Sequence, residues 1–104
     1  MHVLRQQQEI KNQKKQIKNA NDSLHFYLKL MHQYSFLYKN SFKKENYMTF
    51  QNISSLCDYR INILKIKYEI QNKIDDINNQ IKNMKNNLTT QLNNLIYYEI
   101  LLKK

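Results

Sequence analysis

A spacing of seven residues runs through the first forty positions of the chain. Val3, Ile10, Ile17, Leu24, Met31 and Tyr38 are all apolar or amphipathic. A companion follows each by three, Gln6, Gln13, Ala20, Tyr27 and Tyr34, so the steps alternate between three and four, as on the buried face of a helix in a coiled coil. This pattern predicts a helix over about residues 3–42, with a seam that is polar near the N-terminus and aromatic further on. From residue 53 a second register begins. One series is Ile53, Arg60, Lys67, Ile74, Ile81, Leu88, Leu95 and Leu102; the other is Leu56, Ile63, Ile70, Ile77, Met84, Gln91 and Tyr98. It predicts a helix over about 53–102, with the more apolar seam of the two.

Between them KKENYMTFQN, residues 43–52, breaks both registers, and Ser54 and Ser55 are candidate caps for the helix that follows. The expected fold is all-α. It is an antiparallel coiled-coil helical hairpin with a helix at about 3–42, a turn at about 43–52 that folds about residue 47, and a helix at about 53–102. Pairing one series of each helix with the other series of its partner sets Ile10 against Met84, Ile17 against Ile77, Leu24 against Ile70, Met31 against Ile63 and Tyr38 against Leu56. The layers between these put Lys67 on Tyr27 and Arg60 on Tyr34, where a basic stem can lie along a ring with its head in water. The alternatives are a register shifted by seven, one unbroken helix, and a third short helix near 45–52. The chosen register makes residues 1–104 a single hairpin domain whose segment 92–104 projects past residue 1 as a C-terminal docking segment.

Composition narrows the chemistry. The 104 residues include no Gly and no Pro, which removes the phosphate-cradling loops, dinucleotide fingerprints and nucleophile elbows that need left-handed or tight backbone. Leu, Ile, Val and Phe make up 29 residues, above the roughly 20% below which a charged chain stays disordered. The chain should fold. Seventeen Lys and Arg against eight Asp and Glu give a formal charge of +9. One cysteine, Cys57, cannot form an intramolecular disulfide, and the first twenty residues read as mature sequence with no signal segment, so an intracellular reducing compartment, cytoplasm or mitochondrial matrix, fits best. No stretch approaches the ~18 uncharged apolar residues that a membrane span needs.

Two helices cannot bury a full circumference, and apolar residues remain outside the paired positions. Near the turn these are Leu28, Leu30, Phe36 and Leu37 on the first helix and Ile61, Leu64, Ile66 and Tyr68 on the second. The projecting segment adds Leu92, Leu95, Ile96, Tyr97, Tyr98, Ile100, Leu101 and Leu102, too apolar for a solvated tail. All are candidate partner-docking residues. A second stripe on the first helix carries Lys11, Lys15, Lys18, Asp22, His25, Lys29, His32, Phe36, Lys39 and Lys43 at steps of three and four. Its lysines, Lys11, Lys15, Lys18, Lys29, Lys39 and Lys43, form a candidate polyanion-binding ridge, against the plainer alternative of a solvated outer face.

Catalytic chemistry finds no footing. His25 and His32 are seven apart, too far for an i, i+4 metal pair, Asp75 and Asp76 point to different faces, and Cys57 has no implied oxyanion donors or concave pocket. No catalytic, metal or cofactor-binding residue is expected, and the chain is read as not an enzyme. In outline it is similar to prefoldin subunits and to ribosomal helical hairpins, although KKENYMTFQN offers no β-hairpin and no signature residue of either family is present. The expected function is a non-catalytic structural subunit, a scaffold or staple in a larger multiprotein assembly. The alternatives are an RNA-contacting subunit of a ribonucleoprotein such as an organellar ribosome, and a peripheral membrane-associated subunit. A homo-oligomer formed through the same apolar surface is also open.

Overall fold

The computed structural model describes residues 2–43 and 50–103. Two helices, α1 (His2–Ser41) and α2 (Phe50–Lys103), pack against each other as an antiparallel helical hairpin. With neither Gly nor Pro in the chain, nothing interrupts either helix. At the end of α1 the Ser41 hydroxyl donates to the Tyr38 carbonyl at 2.6 Å, a local bond that competes with helix continuation, and residues 42–43 form a short 3₁₀ turn. Most of the expected turn, residues 44–49 with Tyr47 and Met48, lies outside the described residues, as do the side chains of Val3 and Phe50. One expectation is corrected at the start of α2. That helix begins at Phe50 rather than 53, so Ser54 and Ser55 are exposed residues within it and cap nothing.

The chain divides into two compact units. An end unit joins Met1–Leu24 with Ile77–Lys104, and a middle unit is the contiguous His25–Asp76. The end unit buries Ile10, Ile77 and Ile81. Around them Ile17, Ala20, Leu24, Met84, Leu88, Gln6, Gln13 and Gln91 are half-buried. Ile63, Ile70 and Ile74 are the buried residues of the middle unit, with Tyr27, Met31, Tyr34, Tyr38, Leu56 and Lys67 half-buried. The seam read from the sevens is therefore the packed face at every described position but two. The exceptions lie at its end, where Tyr98 and Leu102 are exposed.

Within the middle unit the pairing differs from the expected one by one heptad. Arg60 faces Ser41, not Tyr34: its Nε donates to Ser41 Oγ and its Nη2 to the Ser41 carbonyl, each at 3.0 Å, and its guanidinium lies 3.9 Å over the Phe42 ring. Lys67 moves in the same direction, with Nζ 5.5 Å from the Tyr38 ring instead of over Tyr27. A heptad repeat pairs apolar layers equally well after a shift of seven, so the polar contacts decide the register. Here the end of α1 offers Arg60 a hydroxyl, a carbonyl and a ring together.

Leu92 and Leu95, expected among the docking residues of the C-terminal segment, are half-buried in the end unit, whereas residues 96–103 are exposed.

Candidate docking surfaces

Among the described residues, the helical spacing that builds the seam leaves a second set of apolar side chains facing outward. In the middle unit Leu28, Phe36 and Leu37 of α1 and Ile61, Leu64 and Tyr68 of α2 are exposed, as the spacing predicts. Leu30 and Ile66 depart from that expectation. Both are half-buried, because each sits beside the seam and is partly covered within the unit. The sequence reading missed Phe26, Phe42 and Tyr59, all exposed. For Phe42 the signal was present: it follows Tyr38 by four, and the two rings meet edge to face at 5.1 Å.

Among the described residues, each helix of this unit carries a shallow recess. Ile61, Leu64, Lys65, Tyr68 and Glu69 line one on α2, of ≈ 380 Å³. His32, Gln33, Phe36 and Leu37 line the other on α1, of ≈ 510 Å³. Residues at i, i+3, i+4 and i+7, the positions of Ile61, Leu64, Lys65 and Tyr68, form the kind of hole that takes a side chain from a facing helix.

The end unit exposes Ile96, Tyr97, Tyr98, Ile100, Leu101 and Leu102, with Leu102 at 75%. Tyr97 and Tyr98 stack edge to face, ring centroids 6.1 Å apart. Leu4, also exposed, carried no sequence signal because it falls just outside both α1 series.

The candidate polyanion-binding lysines are all exposed, Lys11, Lys15 and Lys18 in the end unit and Lys29, Lys39 and Lys43 in the middle one. His25 and His32 are exposed too, and the Cys57 thiol is free and exposed. Among the described residues no group of three His, Cys, Asp or Glu could hold a metal ion, and no helix is long and apolar enough to cross a membrane.

The end-unit seam has a polar weakness of its own. The side-chain carbonyl oxygens of Gln6, Gln13 and Gln91 are buried without a hydrogen-bond partner. Each such oxygen costs about 1–3 kcal/mol relative to a solvated one.

No protein-family model matches the chain. No curated protein and no solved structure matches it either.

Proposed function

We propose that this chain is a non-catalytic structural subunit of a larger multiprotein assembly, docking through its outward apolar faces. The observation that carries this is the amount of apolar side chain left in water. Leu28, Phe36, Leu37, Ile61, Leu64 and Tyr68 on the middle unit, and Ile96 to Leu102 apart from Glu99 on the end unit, are all exposed. The total accessible surface of 8580 Å² compares with about 6300 Å² for a typical folded monomer of 12.8 kDa. Covering six such side chains, at ~1.5–3 kcal/mol each, contributes on the order of 10 kcal/mol before ordering costs. A partner therefore has a large stabilisation to offer. The test is Leu101→Asp with Ile96→Asp in the full chain: both side chains are exposed, so the fold should stand while incorporation into the assembly is lost.

A second reading has its own support in the exposed lysines, which would contact phosphates as part of a ribonucleoprotein. Replacing Lys11, Lys15 and Lys18 by Glu would then abolish incorporation and the apolar substitutions would be tolerated. The opposite outcome supports the scaffold.

A further inference from the structure

One surface of the middle unit has narrower chemistry than a general apolar face. From His25 to Lys43 the chain holds no Asp or Glu, and Lys29, Lys39 and Lys43 are exposed. Phe36 stands in the same row: Lys29, His32, Phe36, Lys39 and Lys43 follow one another at steps of three and four and so share a stripe. Phe36 is 64% exposed and Leu37 42%, and with His32 and Gln33 they line the α1 recess. That lining of i, i+1, i+4 and i+5 is the groove between ridges on a helix surface, which a ridge of a second helix fills.

We propose that this stripe docks an acidic amphipathic helix of a partner protein, with an apolar side chain in the recess between Phe36 and Leu37 and carboxylates beside Lys29 and Lys39. This rests on the scaffold reading and names the partner's chemistry. A second copy of the chain suits the site poorly, since two molecules of charge +9 would have to meet across a stripe that itself carries no carboxylate. A lipid surface favours helices whose charges and apolar groups lie on opposite faces, whereas Phe36 lies inside the basic row. A phosphate backbone would satisfy the lysines and leave the Phe36–Leu37 recess empty of apolar contact. An acidic helix with one apolar ridge matches both.

The experiment uses the full chain and a labelled helical peptide of about five turns built from Leu, Glu and Ala, with Leu at steps of three and four. Its controls are a scrambled peptide of the same composition, a version with Lys for every Glu, poly(U) RNA, and vesicles containing phosphatidylserine. At physiological ionic strength the acidic amphipathic peptide should bind at least about tenfold tighter than the scrambled one. Phe36→Asp should weaken binding about tenfold with the helical circular dichroism unchanged. The pair Lys29→Glu and Lys39→Glu should transfer the preference to the Lys peptide. Equal binding of the acidic and scrambled peptides, no effect of Phe36→Asp, or tighter binding of RNA or vesicles that Phe36→Asp abolishes overturns the proposal. Loss of peptide binding in a chain that still enters an RNase-resistant assembly removes this site alone. Peptide binding as expected by a chain that sediments by itself removes the scaffold reading and keeps the site.

Discussion

Arg60 of α2 closes the C-terminal end of α1 through Ser41. The guanidinium donates to both the hydroxyl and the carbonyl of that residue at 3.0 Å, while the same hydroxyl donates onward to Tyr38. The last carbonyls of a helix lack partners within it, and here one is satisfied from the facing helix. The contact therefore ends α1 and fixes where α2 lies along it. Ser41 is 5% exposed, so its polar groups have little access to water in place of Arg60.

Arg60→Ala should destabilise the folded chain by about 2–3 kcal/mol, since it removes two charge-assisted hydrogen bonds and leaves buried acceptors behind. Arg60→Lys should recover less than half of that, because an ammonium cannot reproduce the planar fork. Urea unfolding of the two variants measures both effects. A loss under about 0.5 kcal/mol for the alanine variant would contradict the role assigned to the contact.

The register itself can be trapped. Ten residues back from Ser41 along α1 and ten forward from Arg60 along α2 stand Met31 and Ile70, whereas the register expected from the sequence sets Met31 against Ile63. In a Cys57→Ser background, Met31→Cys with Ile70→Cys should oxidise to an intramolecular disulfide readily. Met31→Cys with Ile63→Cys should lag well behind. Mass spectrometry under mild oxidation reads the difference, and the reverse order would restore the other register.

Gln13→Leu should stabilise the end unit by about 1–2 kcal/mol, as it replaces a buried, unpartnered carbonyl oxygen with apolar volume at a seam position. Amide hydrogen exchange should slow across residues near 10–20 and 81–91. Unchanged or faster exchange there would mean that the glutamine is satisfied in solution.

Ile70→Ala and Leu102→Ala remove apolar groups of similar size from sites that are 5% and 75% exposed. The first should cost about 2–4 kcal/mol and the second under about 0.5 kcal/mol in the isolated chain. Thermal unfolding distinguishes them, and comparable losses would mean that Leu102 is already packed.

Much of the fold was legible because the burial of a helix face leaves a periodic trace. Every described member of the two α1 series is at least half-buried, from Gln6 and Ile10 to Tyr34 and Tyr38. Register was not legible from apolar layers, which repeat every seven residues and so fit two alignments alike. The deciding residue is Ser41, the next position after Tyr27 and Tyr34 in the same series of seven, whose polar contacts with Arg60 leave no trace in an apolar pattern. Leu92 and Leu95, expected outward with the rest of the C-terminal segment, are half-buried. Exposure of Phe36, Leu37 and Tyr68 was legible, since it needs only the helix phase and not the alignment of the partner. Phe26 and Leu4 lie off both seam series and the lysine stripe, so the periodic pattern does not mark them.

Gradient sedimentation of the tagged full chain in native lysate, with and without RNase, tests the structural-subunit proposal most directly. A docked structural subunit should sediment fast with or without RNase, and Leu101→Asp with Ile96→Asp should abolish that. A slow, small species under both conditions, or a fast one that collapses with RNase, would contradict it.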